Sequence, residues 1–155
     1  MIAAAGDSCP QKPDDCAFPL NLYPCLYAPG DVPFLYYAQF AKDPDFVQDY
    51  RSFRDALGKG TLPDVAFVKP LGYHTEHPGY STTLSAGVKF AEGVINDVLG
   101  SCYQDNTLIL LTWDESGGYF DHVAPPADSA VDMQPYGARV PLLAMGRFAR
   151  KGFVS

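Results

Sequence analysis

The stretch that most constrains this chain is an apolar run ending abruptly in acid. Residues 106–126 read N-T-L-I-L-L-T-W-D-E-S-G-G-Y-F-D-H-V-A-P-P. Thr107 to Trp113 is apolar and β-branched, the pattern of a strand buried on both faces of a parallel sheet. Open α/β sheets bind ligands beyond the carboxyl ends of their strands. At that point stand two adjacent carboxylates, Asp114 and Glu115, and then Gly117-Gly118, whose backbone angles other residues avoid. Asp121 and His122 follow, and Pro125-Pro126 stiffens the exit.

Upstream, residues 1–33 carry six prolines and three of the four cysteines with no helical or alternating period, which predicts an irregular loop segment. The rest, residues 34–155, is expected to belong to a single domain. Phe34, Leu35, Tyr37, Ala38 and Ala41 suit a short helix. Asp43-Pro44 would cap and open a second, along which Phe46, Val47, Tyr50, Phe53 and Leu57 form an apolar stripe closed by Gly58 and Gly60. Val65 to Val68 predicts a strand ending before Pro70, and Leu71 to Thr83 a polar loop with His74, Glu76, His77 and Pro78. Leu84, Val88, Ala91, Ile95, Val98 and Leu99 give a further helix, capped within Ser81 to Thr83 and stopped by Gly100. Strand, loop, helix and strand over residues 64–113 make a βαβ unit with parallel strands. If the two strands are neighbours, the loops bearing His77 and Asp114 leave the same side of the sheet. Residues 127–139 continue as a long connection that would wall a site, and Val140 to Met145 predicts another strand.

A chain of 155 residues with 47% hydrophobic and 19% charged content supports one ordinary folded domain. Its formal net charge of -7 argues against nucleic acid as a partner, since a phosphate-backbone binder needs a basic face. No stretch reads as a transmembrane segment, and the first residues lack the pattern of an export signal. Cys9, Cys16, Cys25 and Cys102 form no C-x-x-C pair; loop disulfides and free thiols both stay open, so the residues leave the compartment unknown.

An Asp-Glu pair in isolation is usually a solvated turn. Behind a buried strand, followed by Gly-Gly and a nearby histidine, it reads as a pair of metal ligands. Carboxylates suit Mg²⁺, Ca²⁺ or Mn²⁺, and a shell mixed with histidine would also admit Zn²⁺, so one divalent ion is expected with its identity open. His77 could ligate metal, hydrogen-bond a phosphoryl oxygen or protonate a leaving group, whereas His74 is the weaker candidate. Asp121 before His122 has the pattern of a carboxylate orienting an imidazole. D-E-S-G-G resembles the nucleophile turn of trypsin-like proteases only superficially. Asp114 stands where its first glycine belongs, so Ser116 is not read as a nucleophile. There is no P-loop motif.

These strings together, T-E-H-P (Thr75 to Pro78), T-W-D-E-S-G-G-Y-F-D-H-V-A-P-P (Thr112 to Pro126) and Y-G-A-R-V-P-L-L-A-M-G-R-F (Tyr136 to Phe148), resemble the phosphoesterase family of phospholipases C and acid phosphatases. L-P-D-V-A-F-V-K-P (Leu62 to Pro70) and Y-A-P-G-D-V-P-F (Tyr27 to Phe34) fit as well. The resemblance implies an α/β, alkaline phosphatase-like fold, present in part, with a mostly parallel sheet flanked by helices. It implies hydrolysis of phosphate esters, phospholipids among them, by a hydroxyl nucleophile held near the metal. Asp114 and Glu115 would bind that metal, His77 and His122 would line the phosphate pocket and supply the acid, and Asp121, Gly117 and Gly118 would support them. No nucleophile segment and no Glu-Asn metal motif are found in this chain. The expectation is therefore a carboxyl-terminal portion of a larger enzyme, secreted or periplasmic by resemblance, whose partner is the missing amino-terminal portion. The alternative is a noncatalytic remnant that binds a metal or a partner.

Overall fold

The structure is a computed structural model and describes residues 32–41, 43, 45–79 and 82–155. The Pro- and Cys-rich segment of residues 1–31, with Cys9, Cys16 and Cys25, lies outside them, as do Pro44 and Ser81. The chain divides into two compact units between Tyr103 and Gln104.

In the first unit the short helix expected after Pro33 is a single 3₁₀ turn, Pro33–Tyr36. The helix expected from Asp43 begins later: α1 spans Tyr50–Lys59, with Asp49 as its cap, accepting the Arg51 amide at 2.7 Å. Asp43 accepts the Asp45 amide at 2.9 Å instead, a local turn that uses up its capping oxygen before any helix can start. At the other end Gly60 adopts φ 68°. The Gly60 amide reaches the Leu57 carbonyl at 3.3 Å and that of Thr61 the Ala56 carbonyl at 2.9 Å, a Schellman stop. Helix α2 spans Leu84–Leu99 with Thr83 accepting the Ala86 amide at 3.2 Å and Gly100 following, as its spacing predicts.

Leu57 and Val98 are the buried apolar pair where α1 meets α2. Around them runs a ladder of rings: Phe53 stacks on Tyr50, Tyr50 meets Phe90, Phe90 stacks on His74, and Tyr73 meets His74 edge-on. The Tyr50 hydroxyl donates to Asp97 at 3.4 Å. Burial, then the negative charge of Asp97, raise its pKa above that of an ordinary tyrosine. Asp97 also pairs with Arg54 at 3.1 Å.

Residues 65–68 do not form the expected strand. They are irregular, with Val65 70% and Phe67 85% exposed and Phe67 meeting Phe34 at 6.4 Å between ring centroids. Pro63 and Pro70 bracket the run without amide donors, and no segment among the described residues pairs with it. The βαβ unit is therefore not formed here.

The second unit carries β1, Ile109–Thr112, and β2, Leu142–Met145. They pair antiparallel, with Ile109 opposite Met145 and Thr112 opposite Leu142. This corrects the parallel arrangement predicted for the apolar run. The burial is corrected too: β1 alternates between half-buried and exposed, and Leu110 is 58% exposed. A two-stranded ribbon covers neither face by itself, so an apolar strand within it stays half open. Strand β2 falls inside the predicted 140–145 run, and residues 127–139 form the expected long connection. The closing turn after β2 uses Gly146 at φ 106°, where an added Cβ would lie 2.5 Å from the Thr107 carbonyl oxygen. No helix among the described residues is long and apolar enough to cross a membrane.

Candidate active site

The second unit's loop starts where β1 stops. Asp114 and Glu115 sit in a bend, exposed, directly after Trp113. The Glu115 carboxylate folds back to accept the Gly117 amide at 2.6 Å. Gly117 and Gly118 take φ 68° and 72°, left-handed angles that turn the chain sharply and that glycine alone adopts without strain. The Tyr119 amide closes the turn on the Ser116 carbonyl at 3.3 Å. Gly117 and Gly118 thus turn the chain back directly after the acidic pair.

Asp121 is the fixed point of the loop. Arg139 grips it from two sides, Nε on Oδ2 and Nη2 on Oδ1, both at 2.8 Å, and the Val123 amide adds a bond at 3.0 Å. The guanidinium first, then the Val123 amide, hold this carboxyl far below the usual carboxylate range. His122 is close by, its Nδ1 3.7 Å from Asp121 Oδ1, an ion-pair distance when protonated but beyond hydrogen bonding. Its side chain is 83% exposed against 15% for Asp121. The orienting hydrogen bond expected within the Asp121-His122 pair is thus absent, and the carboxylate serves Arg139. Arg139 itself was missed as a site residue. The signal lay in the Y-G-A-R-V-P string, but nothing in sequence spacing joins it to Asp121.

The first unit holds the T-E-H-P turn. Thr75 Oγ1 donates to the Gly72 carbonyl at 2.8 Å, Glu76 takes the left-handed φ 63°, and Thr82 Oγ1 donates to the His77 carbonyl at 2.9 Å. His77 is exposed, with Nδ1 2.6 Å from the Pro78 carbonyl oxygen, a contact that fixes Nδ1 as the protonated nitrogen when the ring is neutral and leaves Nε2 as acceptor. His74 packs in the ring ladder between Tyr73 and Phe90.

As metal donors, Asp114 and Glu115 supply the hard oxygens a divalent ion needs. Among the described residues no three His, Cys, Asp or Glu side chains gather into a cluster.

Residues 33–155 match the Phosphoesterase family model, and the chain belongs to that family. It is similar to the non-specific phospholipase C6 of Arabidopsis thaliana, 26% identical over 122 residues, covering 66% of this chain and 23% of that protein. It is also similar to the non-hemolytic phospholipase C of Pseudomonas aeruginosa, 27% identical over 131 residues, covering 66% of this chain and 19% of that one. An acid phosphatase of Aspergillus fumigatus is 34% identical over 74 residues, covering 47% of this chain and 16% of its own length. The chain thus spans about a fifth of the length of the first two relatives.

Proposed function

We propose that this chain supplies part of the active site for metal-dependent hydrolysis of phosphate esters, of the phospholipase C type. What carries the reading is the acidic loop of residues 114–122 lying within a family match that spans residues 33–155. In this reading Asp114 and Glu115 would hold a divalent ion. A bound ion would polarise a phosphoryl oxygen and activate the attacking hydroxyl. His122, an exposed imidazole of the same loop, contacts the phosphoryl group and protonates the departing alkoxide. The nucleophile and the remaining ligands come from outside this segment, in an alkaline phosphatase-like fold whose further strands cover β1.

The test is release of p-nitrophenol from p-nitrophenylphosphorylcholine and from p-nitrophenyl phosphate by this chain combined with the nucleophile-bearing portion of a family member, with added Mg²⁺, Ca²⁺, Mn²⁺ or Zn²⁺. Metal-dependent turnover that Asp114→Ala abolishes supports the proposal. A second reading is a noncatalytic remnant that binds a metal or a partner. Metal binding without turnover, measured calorimetrically on the same chain, selects it.

A further inference from the structure

We propose that Arg139 is a positioning residue, one that keeps the His122 imidazole apart from Asp121 by holding that carboxylate. The register of the ribbon explains how it reaches. Thr112 ends β1 opposite Leu142, which begins β2, so the chain leaving one strand runs beside the chain entering the other. Thr112 Oγ1 ties the two together through the Pro141 carbonyl at 2.8 Å. Just before that point Arg139 spans both oxygens of Asp121 at 2.8 Å.

Most exposed ion pairs contribute little, because two long side chains must be ordered for a screened attraction. Bidentate geometry is the exception, since the planar fork matches a carboxylate and fixes its plane as well as its place. Here the carboxylate is also the shielded partner, 15% exposed, with the Val123 amide on Oδ1. A carboxylate so occupied does not turn toward the next residue. The His122 ring accordingly stays outside hydrogen-bond range of Asp121 and points outward, 83% exposed. Arg139 thereby holds the imidazole away from its neighbouring carboxylate and open to a phosphoryl oxygen. This role for His122 rests on the function proposed above; the clamp itself does not.

The experiment compares the full 155-residue chain with Arg139→Ala, Arg139→Lys and Asp121→Asn. It reads amide hydrogen exchange at Val123, NMR relaxation of the His122 ring, and kcat and KM on p-nitrophenyl phosphate with added metal. Arg139→Ala and Asp121→Asn are expected to speed Val123 exchange on the order of tenfold, and Arg139→Ala to slow the His122 ring as the released carboxylate captures it, while amides of β1 and β2 keep their rates. Arg139→Lys is expected to behave like Arg139→Ala, because a single ammonium cannot span two oxygens. In turnover, kcat falls and KM holds. Wild-type exchange in Arg139→Lys overturns the proposal, since charge alone would then suffice. Equal loosening of β1 and β2 in Arg139→Ala overturns it too, as general structural support. If the wild-type chain, which lacks its own nucleophile in the reading above, shows no turnover under any metal, exchange and relaxation alone decide the role of Arg139.

Discussion

His74 lies flat against Phe90, ring centroids 5.6 Å apart and planes 13° from parallel. The pairing joins the 3₁₀ turn Gly72–His74 to α2, and so fixes the base of the T-E-H-P turn that carries His77. Phe90→Ala should cost roughly 2 kcal/mol, below the range for fully buried phenylalanine because this ring is only half buried. Urea unfolding measures the loss, and the Thr75 and His77 amides should exchange faster than those of β1.

Two glycines of α2 should respond oppositely to the same change. A Cβ at Gly93 meets nothing within 4 Å, so Gly93→Ala should stabilise the protein by up to about 1 kcal/mol through helix propensity. A Cβ at Gly87 would overlap the Glu76 side chain, so Gly87→Ala should destabilise it despite that gain. Thermal unfolding checks both. Adding Glu76→Ala to Gly87→Ala should restore stability, which a purely helical effect would not allow.

Asp121 sets a pH dependence whose sign follows from its depressed pKa. The folded carboxyl lies far below the usual range, the unfolded one near the ordinary value of about 3.9. Its contribution is therefore complete above about pH 4 and is lost only as pH falls further, through the folded value. The stability difference between wild type and Asp121→Asn should stay constant from about pH 7 down to about pH 4 and shrink below that. A difference that already changes between about pH 7 and about pH 4 would show that a partner other than Arg139 matters.

The acidic pair should be separable by its backbone. Asp114→Asn and Glu115→Gln should each weaken Mn²⁺ binding on the order of tenfold or more if both oxygens face the ion. Gly117→Ala leaves both carboxylates in place but strains a residue at φ 68° by roughly 1–2 kcal/mol and disturbs the Glu115 contact to its amide. A metal affinity lowered by Gly117→Ala as well would mark the reversal, not charge alone, as part of the site. Calorimetric titration reads all three.

Helix α2, its Thr83 cap and its Gly100 stop were legible because capping and a helical apolar period are local properties. Strand β2 and the loop after Trp113 were legible for the same reason. The start of α1 was misplaced because Asp43-Pro44 and Asp49 both look like caps, and only the turn at Asp45 decides between them. The parallel sheet was inferred from an apolar run, but strand direction is a matter of partners, and the partner of Leu110 proved to be Ala144 running the other way. Among site residues the glycines and acids were visible as a contiguous string. The link from Asp121 to Arg139 depends on the ribbon's register, which no spacing in the sequence encodes.

The half-open ribbon has a practical consequence. With Leu110, Leu142 and Leu143 each about half exposed or more, β1 and β2 offer sticky backbone and leucine surface to any similar chain. At high concentration this chain should self-associate through those strands. Lysine in place of Leu110 or Leu142 should keep it dispersed in light scattering and make the rest of the molecule tractable in solution.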